Sequence, residues 1–356
     1  MLVFRMESDR KVEFSGCLKR YNYSVMGRLN LIIIAYKSRS EIQTCLSSVQ
    51  AQTYPFAEIT LVENGSPQGE RILADDIPEG VNFIENSENL GFAVANNRAA
   101  VGVKSDWLVF LNPDAFAEPD WLENLKVASE RYPDVDIFGS TQIDASNPKM
   151  LDGAGDVYHI AGIPYRGGYG RPVSEIPEDG DVFAACGAAL MIRRELFEKL
   201  GGFDERFFCY CEDVDLCFRA RLLGARVMQV RNAVVRHVGS ASSGVSSAFA
   251  VYHGTRNRMW TFFKNMPGLA MWLLLPLHLA LTGYQFVGAI KRKVMKAYLK
   301  GYWDGLMGLP SLMKERGRIQ TARSIGFWAL SKDILVNPIT LIQRKPFVRP
   351  VRKSTG

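Results

Sequence analysis

At 356 residues, 47% of them hydrophobic and 22% charged, the chain has the composition of an ordered globular protein with a substantial core, which excludes a disordered or low-complexity chain. The six cysteines form no C-x-x-C pair and the N-terminus lacks the apolar core of a secretory signal, so neither a zinc ribbon nor a disulfide scaffold is indicated and a reducing cytosol is expected. The formal net charge of +6 is uneven: residues 291–356 carry 15 Lys/Arg against 3 Asp/Glu, a net +12, which leaves −6 for the first 290 residues and confines any cationic partner surface to the tail.

Residues 1–27 read as an N-terminal extension, because the pattern becomes regular only after Met26. The run LNLIIIAY at 29–36 is too short for a membrane helix and rich in isoleucine, as a parallel strand covered on both faces would be. A helix-like stretch at 41–50 follows, then strands at 59–63 and 81–85, a helix at 92–101 and a strand at 107–111. Strands alternating with helices predict right-handed crossovers and an α/β sandwich with a mostly parallel central sheet.

The segment 120–132 reads as a helix and 135–143 as a strand, after which residues 144–182 turn rich in Gly, Pro and Asp and are expected to shape an acceptor or lid surface. VFAACGAALMIRR at 182–194 reads as a strand feeding the helix ELFEKLGG, with Gly201 and Gly202 suited to its C-terminal cap. Residues 265–290 contain no Asp, Glu, Lys or Arg, and 26 residues suffice to cross a bilayer. Pro276, His278 and Gln285 interrupt that run, while Trp272 and Tyr284 suit an interface. A spanning helix, a helix lying among headgroups and an ordinary buried helix all stay open, with membrane contact the expectation.

In an open α/β sheet, ligands bind beyond the carboxyl ends of the strands. The residues there are Tyr36, Glu63 and Asn64, Asn89 with Gly91, and Asn112 with Asp114. Glu63 or Asn64 offers a hydrogen-bond partner to a base edge, and Asn89 with the amides near Gly91 offers donors to phosphate, against the simpler reading that Asn and Gly merely build turns. Asn112-Pro113-Asp114 supplies hard oxygen ligands on a rigid turn, the chemistry of Mg²⁺ or Mn²⁺ rather than zinc.

Glu212, Asp213 and Asp215 crowd three carboxylates into four positions at an apparent helix start. Asp213 suits a general base, Glu212 a residue that orients it, and Asp215 a cap on backbone amides; all three as simple helix starters is the alternative. His237, at the end of a strand-like run and followed by Ser240 and Ser242, is either structural or a metal or diphosphate ligand. Arg256 and Arg258 are either phosphate clamps or part of a solvated basic helix face, the latter being preferred.

Across residues 29–264 the order of these motifs resembles the family 2 glycosyltransferases of the GT-A fold, and within them the bacterial rhamnosyltransferase-like branch. The carriers are Ala35-Tyr36-Lys37-Ser38; Val62-Glu63-Asn64-Gly65-Ser66, with Glu where the family has Asp; and Asn89-Leu90-Gly91-Phe92-Ala93 with Asn96 and Asn97. Asn112-Pro113-Asp114 stands for the Asp-x-Asp metal motif, and Gly201 through Leu216 reproduces Gly-Gly-Phe-Asp-Glu-x-Phe-Phe followed by Glu-Asp-x-Asp-Leu.

The resemblance implies a GT-A domain at 28–264 and a helical, basic, membrane-associated region at 265–356. It implies donor contacts from Tyr36, Glu63, Asn64, Asn89, Gly91, Phe92, Asn96, Asn112 and Asp114, a Mg²⁺ or Mn²⁺ held by Asp114, Asn112 and His237, and catalysis by Asp213 with Glu212. The expected reaction is inverting transfer of a sugar, foremost L-rhamnose from dTDP-rhamnose, to a lipid-linked saccharide of a cell-surface polymer. The expected location is the cytoplasmic face of the cell membrane, with the basic tail on anionic lipid and no nucleic-acid partner. Alternatives are a non-catalytic nucleotide-sugar binding module, or a transferase of galactofuranose, glucose or N-acetylhexosamine from a UDP donor. A nucleotidyltransferase would need a glycine-rich, lysine-bearing loop that the chain lacks.

Overall fold

The computed structural model describes residues 28–239 and 247–351, so the expected extension at 1–27 and Ser240 and Ser242 lie outside the described residues. The chain begins with β1 (Leu29–Ala35), α1 (Ile42–Gln50), β2 (Glu58–Asn64), β3 (Val81–Asn86), α2 (Gly91–Ala100), β4 (Trp107–Leu111), β5 (Ala115–Ala117), α3 (Trp121–Arg131) and β6 (Ile137–Asp144). It continues with β7 (Leu151–Ala154), β8 (Asp156–His159), β9 (Ile163–Arg166), β10 (Gly180–Asp181), β11 (Ala189–Arg193), α4 (Arg194–Lys199), α5 (Glu212–Leu222) and β12 (Val227–His237). It ends with α6 (Ala248–Asn265), α7 (Gly268–Lys291), α8 (Met295–Ala322), α9 (Phe327–Ser331), α10 (Pro338–Ile342) and β13 (Arg349–Pro350).

The main sheet runs β13-β10-β12-β6-β11-β4-β1-β2-β3. Strands β3, β2, β1 and β4 are mutually parallel, β6 and β12 are parallel to each other, and β11 is antiparallel to both β4 and β6, so six strands point the same way. All seven residues of β1 are buried because both faces are covered. Its Leu29, Leu31, Ile33 and Ala35 enter one core with Ile42, Leu46 and Val49 of α1 and Trp121 and Leu125 of α3. Its Ile32 and Ile34 enter the other with Ala93 of α2 and Leu216 and Phe218 of α5. The two-residue period of the strand thus joins helices on both faces.

Two expectations are corrected. The apolar run at 182–194 is a strand only from Ala189; before it a turn, closed by the Ala189 N–H on the Cys186 carbonyl, bends the backbone away from the ladder. Burial alone makes residues 182–188 apolar. Residues 144–182 are less loop-like than their composition indicates: β7 joins β6, and β8 pairs with β9 in a hairpin.

The C-terminal helices lie against the body. Helix α6 is packed between α5 and α8, and α8 approaches so closely that a Cβ at Gly301 would fall 2.4 Å from the Tyr252 carbonyl oxygen. Helix α7 buries a stripe of Met271, His278, Thr282 and Ala289. Within that stripe His278 Nδ1 lies 2.9 Å from the Ala161 carbonyl, and its ring stacks on Phe262 at 4.2 Å. Beyond these helices β13 pairs with β10, so the segment after residue 265 rejoins the sheet.

Candidate active site

A cavity of about 680 Å³ opens at the carboxyl ends of β1 and β4, where the topology predicts a ligand site. Tyr36, Asn89, Phe92, Asn112, Asp114, Glu212, Asp213 and His237 all line it. Residues over a hundred positions apart therefore share one wall, as the motif order required.

Glu63, Asn64, Gly91 and Asn96 do not line it. Glu63 is fully buried and accepts the Ser66 and Ile72 amides at 2.7 and 3.0 Å, so both its oxygens brace the loop behind the cavity. Asn64 ties Asn86, Asn89 and the Leu90 amide together, and Asn96 donates to the Phe92 carbonyl within its own helix. The Gly91 amide, expected to meet phosphate, donates instead to Asn89 Oδ1 at 2.9 Å. Gly91 has φ +79° and is needed for a second reason: a Cβ there would lie 2.5 Å from the Phe208 ring.

Asp114 and His237 meet because β5 pairs with β12 in a register that sets Ala115 opposite His237. His237 Nδ1 is 2.7 Å from Asp152 Oδ2, and Nε2 lies 3.3 Å from Asp114 Oδ1 without the alignment of a hydrogen bond, which leaves that buried nitrogen unpartnered. Asp152 is the extra residue of a bulge in the β6–β7 ladder and also pairs with Arg166. Burial alone would lower the His237 pKa, but Asp114 and Asp152 outweigh it and raise it; His237 in turn holds both aspartates below the usual carboxylate range against their own burial. A histidine whose Nδ1 faces a carboxylate and whose Nε2 is free beside a second carboxylate is a donor set suited to a divalent cation.

The acidic triplet opens α5 as expected, and its members divide. Asp213 accepts the Gly187 and Val214 amides, each at 2.7 Å, from the cavity wall. Burial raises its pKa, partly offset by those amides and by Arg166. Glu212 is buried with Oε2 unpartnered, and burial, followed by the Asp213 charge, pushes its pKa well up; no bond joins it to Asp213 among the described contacts. Asp215 is corrected: it caps no backbone amide with its side chain but is fully buried among Arg219, Lys264 and Asn265 at 2.8 to 2.9 Å.

Arg256 and Arg258 are corrected as well. Neither lines the cavity, and α6 is no solvated face, since α5 and α8 cover it. Arg258 is buried, and Arg256 donates to the Arg206 and Phe207 carbonyls.

Sequence reasoning missed Asp152, Asp156, Arg166, Cys186 and Gly187. Asp156, Cys186 and Asp213 bring ligand atoms within 4.8 Å of one another. Burial pushes the Cys186 thiol up to about 12, so at neutral pH it is protonated and a poor ligand for a hard cation. The Asp114–His237 side fits such an ion better.

Residues 30–201 match the model of the family described as Glycosyl transferase family 2. The chain is 31% identical over 243 residues to the O-antigen biosynthesis protein RfbC of Myxococcus xanthus, covering 63% of this chain but only 18% of that protein. It is 27% identical over 252 residues to the N-acetylglucosaminyl-diphospho-decaprenol L-rhamnosyltransferase of Mycobacterium tuberculosis, covering 63% of this chain and 81% of the relative. In three dimensions it resembles GalNAc-T7, solved with UDP, GalNAc and Mn²⁺, at TM-score 0.50 and 18% identity over 60% of this chain and 43% of that one. It also resembles TarS residues 1–349 of S. aureus, at TM-score 0.50 and 13% identity over 86% and 83%. With the GT-A fold and the motif order in place, residues 30–201, just under half of the chain, carry its match to glycosyl transferase family 2.

Proposed function

We propose that the chain is an inverting transferase that moves L-rhamnose from dTDP-rhamnose to a lipid-linked saccharide during cell-surface polysaccharide synthesis. The observation that carries the reading is that Asp213, held by the Gly187 and Val214 amides, and the Asp114–His237 pair face one cavity at the strand ends. Asp213 takes the proton of an acceptor hydroxyl. The freed oxygen bonds to the anomeric carbon from the face opposite the diphosphate, whose C–O bond breaks with its electron pair leaving on phosphate. Asp114, Asn112 and His237 would hold Mg²⁺ or Mn²⁺, which when bound neutralises the charge developing on the diphosphate. Because diphosphate leaves readily, no second carboxylic acid is required, unlike sugar hydrolysis. Tyr36, Asn89 and Phe92 form the donor side, and Glu63, Asn64, Gly91 and Asn96 act behind it by fixing its loops. The names of the relatives motivate rhamnose and the lipid-linked acceptor.

The same reading puts the C-terminal helices on the inner membrane surface. Helix α7 is long and apolar enough to cross a bilayer, with mean hydropathy 1.5. Yet Met271 and His278 pack on the body and Thr282 accepts from Tyr298 of α8, while Leu273 is 78% exposed on α7 and Trp303 60% exposed on α8. A helix pinned by its own protein on one narrow stripe, with its other faces open, favours lying in the headgroup plane. The exposed Lys291, Arg292 and Lys293 at its end would each add about 1 kcal/mol on anionic lipid.

The test incubates the purified chain with dTDP-rhamnose or UDP-sugars, Mn²⁺ or Mg²⁺, and a synthetic N-acetylglucosaminyl-diphospho-lipid, and reads the anomeric configuration of the product by NMR. Transfer of rhamnose with inversion is expected. Nucleotide-sugar binding with neither transfer nor hydrolysis on any acceptor would instead make the chain a binding module.

A further inference from the structure

The stretch that delivers Asp213 to the cavity is unusually strained. Phe208, Tyr210 and Cys211 have φ of 65°, 68° and 65°, so three of the six non-glycine residues at positive φ among the described residues fall within four positions. Phe208, with ψ −65° and the Cys209 amide donating to the Phe207 carbonyl at 2.8 Å, forms a three-residue turn of the rare hand. Side chains with a Cβ persist in such conformations only where the surroundings over-determine them.

Arg256 holds the Phe207 carbonyl and the Ala93 amide the Phe208 carbonyl, and one further side chain reaches three carbonyls of the stretch at once. Asn257 of α6 is fully buried, and its Nδ2 donates to the Phe207, Cys209 and Tyr210 carbonyls at 2.9, 2.8 and 2.8 Å. Two protons serve three acceptors, so at least one is shared, and the three carbonyls are drawn to a single point. Cys211 follows in the chain, then Glu212 and Asp213. Asn257 does not line the cavity, and its Oδ1 accepts from Arg256 Nε at 2.9 Å, so its amide is held from both ends.

We propose that Asn257 is a positioning residue for the transfer: by gathering these three carbonyls it imposes the strained turn and thereby seats Asp213 on the Gly187 amide. The proposal rests on Asp213 being the base. If Asn257 merely added stability, its loss would lower the melting temperature and leave the seat of Asp213 unchanged.

The test uses the full chain with Asn257→Leu, which keeps the volume and removes the donors, and Asn257→Ser, a milder arm in case the first does not fold. Three readouts are taken. These are kcat and KM with dTDP-rhamnose, Mn²⁺ and the N-acetylglucosaminyl-diphospho-lipid; the melting shift produced by dTDP with Mn²⁺; and amide exchange at Gly187, which reports from another element whether the carboxylate is in place. We expect kcat to fall about 100-fold in the Leu variant and less in the Ser variant. Donor KM and the dTDP shift should stay within about two-fold, while Gly187 exchanges faster. Adding Cys211→Gly, which removes one positive-φ penalty, should restore about tenfold of the loss. Retained kcat, a lost kcat with Gly187 protection unchanged, or no recovery from Cys211→Gly would overturn the proposal. Should the wild-type chain transfer no sugar, the base reading of Asp213 fails, whereas Gly187 exchange still decides whether Asn257 seats that carboxylate.

Discussion

Glu63 and Glu212 are both buried glutamates beside one cavity, and the fold treats them in opposite ways. Glu63 has each oxygen matched by a backbone amide, whereas Glu212 keeps Oε2 without a partner beside a second carboxylate. The contrast extends to the walls they belong to. On the strand-end wall, Asn64, Asn86 and Asn89 satisfy one another; on the α5 wall, the orphaned Glu212 oxygen adjoins the positive-φ residues Phe208, Tyr210 and Cys211. Stability is concentrated in the first wall, and the unfavourable terms that chemistry requires are concentrated in the second.

Asp213→Asn tests the contrast most severely: a drop in kcat of about 10² to 10⁴ is expected with nucleotide binding retained, measured by turnover and calorimetry. A fall of less than tenfold would break the assignment. Since burial raises the Asp213 pKa and the base works only when deprotonated, turnover should rise with pH through a value above 3.8.

Asp152→Asn removes the carboxylate behind His237 and should weaken Mn²⁺ binding by about 10- to 100-fold, read by a paramagnetic titration in the absence of substrate. Unchanged affinity would remove Asp152 from the site.

The smallest effects carry opposite signs. Glu63→Gln replaces an acceptor oxygen by a donor facing an amide and should cost about 1 to 3 kcal/mol of stability with kcat unchanged. Glu212→Gln should raise the melting temperature at neutral pH. The Glu212 pKa is raised in the fold, so any stability it lends is complete below its ordinary value of 4.5 and is lost as pH climbs through the folded value; Gln removes that loss. Shifts of the same sign in both variants would erase the distinction between the walls.

The strand-end wall was legible in the sequence for the same reason that it is stable. Strands β1, β2 and β4 are apolar and regular, so the residues ending them could be read off directly. The acidic opening of α5 was legible too, because three carboxylates in four positions admit few explanations. Asp152, Asp156 and Arg166 were not: they sit on four-residue strands whose register includes a bulge, and no periodicity signals either. Residues 182–188 misled because coil buried in a core is as apolar as a strand. Arg256 and Arg258 misled because their burial depends on α8, which arrives some fifty positions later.

That arrival is by glycine. At Gly301 α8 touches the carbonyl side of Tyr252 with no side chain between, while Gly305 and Gly308 seat the Met259 and Trp260 side chains directly against the α8 backbone. A side-chain layer would absorb small displacements as rotamer changes; direct backbone contact has no such cushion. At Gly301, therefore, the helix that carries the exposed Trp303 and the helix that carries Asn257 meet with no deformable layer between them.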